Sequence, residues 1–152
     1  GASCDTVNIC LSKGLGAPVG SILAGPKDLI EEADRVRHRL GGGWRQAGML
    51  AAAGIHALEH HVERLAEDHA HAKALAEALK STGIAQAFHD VQTNLVCYRV
   101  NSDWGPAEKL TETLAERGVL VLHTGPTTGR LVTHLDVSAD EVKRAIDVIR
   151  SL

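Results

Sequence analysis

The chain has 152 residues, of which 44% are hydrophobic and 23% charged, the balance of a globular protein with one domain or the end of one plus a small second. Its formal net charge is −3, with no basic stripe or tail, so nucleic acid is not expected as a partner. No apolar run approaches the roughly 20 residues that span a bilayer, and no signal peptide opens the chain, so no membrane is expected and the cytoplasm is the default location.

Aromatic residues are only 3%, so Ala, Leu, Val and Ile must fill the core. Cys4, Cys10 and Cys97 are an odd set without CxxC spacing and read as free thiols of a reducing compartment. The opening Gly1-Ala2-Ser3 lacks a methionine and reaches an apolar run at once, the pattern expected of a cut piece of a longer chain.

Asp5 to Leu11 is short and rich in β-branched and apolar residues, which predicts a mostly buried strand. The turn-prone stretch Ser12 to Pro18 follows, then a second strand over Val19 to Ala24, and so close a pair should be neighbours in one sheet. Pro26 suits a helix start, because its missing N–H costs nothing there. Leu29, Ile30, Ala33, Val36 and Leu40 recur at helical spacing, and Gly41-Gly42-Gly43 stops that helix. Gln46 to Lys80 favours helix almost throughout, with Leu65, Ala72, Leu75 and Leu79 on one face. Gly54 is the breaker inside it, so one kinked helix or two end to end are expected. Past Gly83 the pattern predicts a strand over Asn94 to Val100, a helix over Ala107 to Arg117, and strands over Val119 to His123 and Arg130 to Asp136. Ser138-Ala139-Asp140-Glu141 is a capping box for a last helix with Val142, Ile146 and Ile149 inward. These elements make a small α/β layer domain.

Lys13 is the residue that carries most chemical information. It follows an apolar strand and is flanked by Ser12 and Gly14, so its amine emerges at a strand end, where sites of α/β folds lie. Partial desolvation there favours the neutral amine, and a neutral amine can form a Schiff base with an aldehyde. An isolated loop lysine is more often simply solvated. Arg130, taken alone, also reads as an ordinary surface residue of a strand.

The segment Asp5 to Ser21, DTVNICLSKGLGAPVGS, resembles the lysine segment of the L-threonine aldolases, which belong to the aspartate-aminotransferase-like (fold type I) pyridoxal-phosphate enzymes. Two further stretches match in the family's order: Gly41 to Gly48, GGGWRQAG, is similar to its glycine-rich turn, and Arg130 to His134, RLVTH, to its carboxylate-binding strand. The similarity runs from about residue 5 to the end of the chain. It implies an α/β fold: the end of a large cofactor domain, residues 1–60, and a small C-terminal α/β domain, residues 61–152. It also implies a lyase that splits L-threonine or L-allo-threonine into glycine and acetaldehyde, with pyridoxal phosphate held covalently by Lys13. Arg130 would grip the substrate carboxylate, and Arg45 would lie near the cofactor phosphate or an adjoining subunit. A small-molecule amino acid would be the substrate and a homo-oligomer, a dimer of dimers, the assembly.

The chain departs from the family's pattern in two side chains, His38 where members commonly have a lysine and Trp44 in place of a smaller or flexible apolar residue. It also lacks the family's earlier segment, which supplies the aspartate at the pyridine nitrogen, the histidine stacked on the ring and most of the phosphate-binding backbone. The chain alone is therefore expected to be inactive. The base that takes the β-hydroxyl proton is not identifiable among these residues. Alternatives are another fold type I lyase or hydroxymethyltransferase relative, and a truncated module without catalysis. His56-Ala57-Leu58-Glu59-His60 has the HxxEH spacing of inverted zinc peptidases, but without a third ligand motif it reads as a polar helix face, and no metal is expected. Gly14-Leu15-Gly16 lacks the full dinucleotide motif.

Overall fold

The computed structural model describes residues 3–152; Gly1 and Ala2, at the start of the abrupt opening, lie outside them. The chain divides into two compact units, residues 1–63 and 64–152.

In the first unit, β1 (Val7–Cys10) and β2 (Ser21–Ala24) form an antiparallel ribbon with Val7 opposite Ala24 and Cys10 opposite Ser21. Two helices follow, α1 (Lys27–Arg39), entered at Pro26, and α2 (Gly48–His60). The expectation of a buried first strand is not met. Val7, Ile9, Ile22 and Leu23 are each 40–44% exposed. The reason is that this sheet has two strands only, and a lone ribbon has no second layer to cover its faces. The apolar stripe of α1 is likewise half-covered: Ile30, Ala33 and Val36 are partly buried, whereas Leu29 and Leu40 are exposed. Burial in this unit centres on the loop after β1, where Leu11, Leu15 and Ala17 are buried, and on Gly54 and Ala57 of α2. The Leu11 side chain lies so close to Gly54 that a Cβ there would meet it at 3.1 Å. Gly54, read from sequence as a breaker, is therefore a packing position within a continuous helix.

The second unit opens on α3 (Leu65–Thr82), so the long helical stretch is two helices broken at 61–64 rather than at Gly54. Gly83 closes α3 in the left-handed conformation (φ 72°). The sheet has the order β3-β4-β6-β5, from β3 (Ala85–Ala87), β4 (Leu95–Val100), β5 (Leu122–His123) and β6 (Thr128–Val132), with every pair antiparallel. α4 (Ala107–Glu116) and α5 (Ala139–Arg150) complete the layer. Ala72, Leu75 and Leu79 of α3 are buried with Val96, Tyr98, Leu110, Leu114, Val142 and Ile149 in one apolar core. β3 was not legible, because Ala-Gln-Ala has no strand bias of its own and pairs only because β4 offers it an edge. The strand expected over Arg130 to Asp136 begins earlier and ends at Val132, since Thr133 turns inward to bond α3.

The period of two decides what β4 and β6 show. Val96, Tyr98 and Val100 face the core from β4, as do Gly129 and Leu131 from β6, leaving Arg130 and Val132 on the open face. Tyr98 pairs directly with Gly129, and its ring occupies the space a Cβ at that glycine would need. Burial pushes the Tyr98 phenol above its ordinary range. Gly129→Ala must displace a fully buried ring and should cost about 2–3 kcal/mol in denaturant unfolding; an unchanged midpoint would show that the ring has room to move.

Ser138 caps α5 through the expected box, its backbone N–H and hydroxyl both donating to Glu141 Oε2 at 2.8 and 2.7 Å. The backbone bond from Ser138, followed by its hydroxyl, holds the Glu141 carboxyl below the usual range. A depressed folded value means that the cap helps above the ordinary carboxylate range and fades as pH falls through the folded value. The stability difference between the parent and Ser138→Ala should thus be present at neutral pH and shrink in acid. A difference that does not change with pH would rule out the ionised cap.

Candidate active site

Lys13 sits in the connection between β1 and β2. Three backbone bonds shape that connection: Leu11 N–H to the Gly20 carbonyl (2.9 Å), Gly16 N–H to the Lys13 carbonyl (2.8 Å), and Ala17 N–H to the Leu11 carbonyl (2.9 Å). Leu11, Leu15 and Ala17 point inward, and Ser12 and Lys13 are exposed between them. The partial desolvation expected at Lys13 is not found: its side chain is exposed, although Leu11 and Leu15 on either side of it are buried. Its amine is accessible and forms no ion pair among the described residues. Beside it, Cys10 Sγ lies 3.3 Å from Ser12 Oγ, and that hydroxyl, then the Ser12 backbone, holds the thiol below its ordinary range, with Lys13 adding a smaller pull.

The far end of α2 reaches the same loop. His61, the C-terminal cap of α2, places Nδ1 2.6 Å from the Leu15 carbonyl oxygen. A carbonyl only accepts, so Nδ1 is the donor. The His56 ring stands edge-on to His61 at 5.4 Å and packs on His60 at 4.4 Å. Among the described residues no group of three or more His, Cys, Asp or Glu side chains is placed to hold a metal. Sequence reading singled out His56 and His60 by their spacing and missed His61, because no periodicity links a helix cap to a loop 46 residues earlier.

Arg45 lies in the α1–α2 connection and is exposed. The glycine turn before it is held by Arg37, which bonds the Gly42 carbonyl (2.6 Å) and Asp34. His38 bonds the Asp34 carbonyl (2.9 Å) and packs against Gly43, so it serves the turn rather than an open charge site. Gln46 follows in the left-handed region at φ 59°, an uncommon conformation for a residue with a side chain. Lys13 and Arg45 thus share the first unit on separate connections.

Arg130 belongs to the second unit. It faces outward from β6, opposite Cys97 of β4 and Leu122 of β5, at the rim of a shallow depression of about 590 Å³ that Leu75, Leu131, Val142, Glu141 and Arg144 also line. It makes no ion pair among the described residues. An exposed guanidinium outside any ion pair can take a carboxylate through two parallel bonds.

Residues 1–102 match the family model described as beta-eliminating lyase. The chain is 48% identical over 139 residues to the low specificity L-threonine aldolase of Escherichia coli K12, covering 91% of this chain and 40% of that protein. It is 41% identical over 140 residues to low-specificity L-threonine aldolase 1 of Arabidopsis thaliana, covering 91% and 39%. The chain therefore spans about 40% of the length of the curated relatives it matches. Among solved structures it is similar to a putative L-allo-threonine aldolase from Listeria monocytogenes (TM-score 0.75, 22% identity, 99% of this chain and 45% of that one). It is also similar to N-acetylornithine aminotransferase from Stenotrophomonas maltophilia (TM-score 0.68, 23% identity, 97% and 38%). These likenesses show an α/β fold shared with part of each of those two structures. With two thirds of its residues under one family model, the chain belongs to the beta-eliminating lyase family.

Proposed function

We propose that this chain supplies the lysine and the carboxylate-binding strand of a pyridoxal-phosphate-dependent aldolase that splits L-threonine or L-allo-threonine into glycine and acetaldehyde. The observation that carries the reading is the accessible amine of Lys13, presented by a loop with its own hydrogen bonds and free of any ion pair among the described residues. The names of the Escherichia coli and Arabidopsis relatives support the choice of substrate. In this reading residues 1–60 end a large cofactor domain and residues 61–152 form the small C-terminal domain.

An exposed lysine amine outside any ion pair among the described residues suits the aldehyde of that cofactor. Lys13 would hold it through its amine, and Arg45 would lie at its phosphate, from the same chain or a neighbouring one of a dimer of dimers. When bound, pyridoxal phosphate supplies the electron sink that lets a Cα–Cβ bond break. Arg130 binds the substrate α-carboxylate through two parallel charge-assisted hydrogen bonds, which fixes the amino acid against rotation. Three free cysteines suit a reducing compartment, and no helix among the described residues is long and apolar enough to cross a membrane; we place the protein in the cytoplasm. The family description favours one second reading, β-elimination. Acetaldehyde and glycine as products separate the first from pyruvate and ammonia as products of the second.

Borohydride reduction of the intact cofactor-loaded protein should leave the cofactor on the peptide that contains Lys13, and Lys13→Ala should abolish turnover with the fold retained. A label on Lys27 or Lys73 instead would remove Lys13 from the site. Arg130→Lys keeps the charge and loses the two-point fork, so apparent KM should rise strongly, a loss on the order of 2–4 kcal/mol by analogy with desolvated charge pairs. Unchanged kinetics would make Arg130 a plain strand residue.

A further inference from the structure

We propose that His61 is a positioning residue for Lys13, holding the lysine loop through the Leu15 carbonyl. The inference deepens the assignment of Lys13 as cofactor carrier and rests on that reading for its catalytic meaning.

The loop from Ser12 to Gly16 has little else to fix it. Its backbone bonds, Gly16 to Lys13 and Ala17 to Leu11, close the turn on itself, and neither ties it to a helix. Buried Leu15 anchors the loop only by apolar contact, which sets depth but not rotation. The 2.6 Å bond from His61 Nδ1 to the Leu15 oxygen is directional and lies two residues from the lysine. Rotation of the peptides around residue 14 is what would swing the Lys13 amine, and this bond opposes it.

The donor is itself held. The backbone N–H of His61 bonds the Ala57 carbonyl at 2.9 Å, so the residue is fixed as the last part of the helical ladder. Its ring is half-buried and stands at 89° to that of His56, an edge-to-face contact that limits its rotation. Helix α2 is packed on the strand end by the approach of Leu11 to Gly54, so the cap and the loop belong to one small packed body. The carbonyl acceptor also determines the tautomer: a neutral His61 must carry its proton on Nδ1.

The test uses three His61 states in the intact protein. His61→Leu keeps bulk without a donor. His61→Asn places an amide N–H close to where Nδ1 stands. Peptide hydrogen exchange over residues 12–17, read without cofactor, reports the loop directly. In His61→Leu, exchange of those amides should rise about fivefold, the size of one lost hydrogen bond, while the body of α2 is unchanged. His61→Asn should return it to the parent rate. With cofactor added, the borohydride-trapped yield on Lys13 should fall in His61→Leu and recover in His61→Asn. Nitrogen NMR of the parent should show the Nδ1–H tautomer for neutral His61, a result independent of how the variants fold. Parent-like loop exchange in His61→Leu, no recovery in His61→Asn, or the Nε2–H tautomer would each overturn the proposal. Loosened loop exchange with the trapped cofactor on a different lysine would instead uphold the His61 latch and sink the assignment of Lys13.

Discussion

Asp68 has no solvent exposure, and an unpaired carboxylate in that position would be untenable. Arg64, one helical turn earlier, meets it with both guanidinium nitrogens at 2.8 and 3.1 Å. The Asp68 hydrogen bond is the main influence that pushes the Arg64 guanidinium further above its ordinary range. The Asp68 backbone oxygen then accepts the Thr133 hydroxyl at 2.7 Å, and Thr133 exchanges bonds with Asn94, its N–H to the Asn94 carbonyl at 3.1 Å and the Asn94 amide to its own carbonyl at 2.7 Å. The Asp68 backbone thus ties the first turn of α3, through Thr133, to the exit of β6 and the entry of β4. Loss of either ion partner would strand the other. The strand whose exit is tied in this way carries Arg130.

The two units differ in what keeps them ordered. The second has a continuous apolar core under a four-stranded sheet, and each helix brings a buried face to it. The first buries little beyond Leu11, Leu15, Ala17, Gly54 and Ala57, while Met49, Trp44 and Leu40 stand 62–86% exposed. Its order is local: a ribbon, a hydrogen-bonded loop, a glycine turn clamped by Arg37, and a histidine latch. Local order of that kind presents chemistry well, because loops carry groups that cores cannot. It is also sensitive to single bonds, since no large core averages out their loss.

What the sequence disclosed follows this division. Helices with a clear apolar stripe and a cap, such as Ala139–Arg150 with its Ser138 box, were legible nearly to the residue, because the signal and the cause are both local. Leu95–Val100 was legible for the same reason, its alternation matching its burial. β3 and the inward turn at Thr133 were hidden, since both exist only through partners distant in sequence. The burial forecast for Val7–Cys10 erred because periodicity reports what a segment can bury, while burial depends on whether a second layer is there. The resemblance of the lysine segment, the glycine turn and the RLVTH strand placed the residues of interest. It gave no hint of Arg37, His61 or Arg64, each of which acts through the backbone or charge of another residue.

Position and environment are separate requirements for a reactive lysine, and the first unit presents Lys13 on a hydrogen-bonded loop without covering it. The loop, the Leu15 anchor and the His61 bond fix where the Lys13 amine begins, yet the side chain itself is exposed. Reaction at an amine is favoured where water is excluded and charge is held by fixed dipoles, and an exposed ribbon provides neither. In the second unit Arg130 is exposed on β6, a strand whose exit is held by the Thr133 hydroxyl on the Asp68 backbone oxygen. A guanidinium keeps its charge in almost any environment, so for Arg130 geometry is sufficient. An amine that must react as a neutral nucleophile depends on its cover as well, so a site built on Lys13 is complete only when its loop is both held and enclosed.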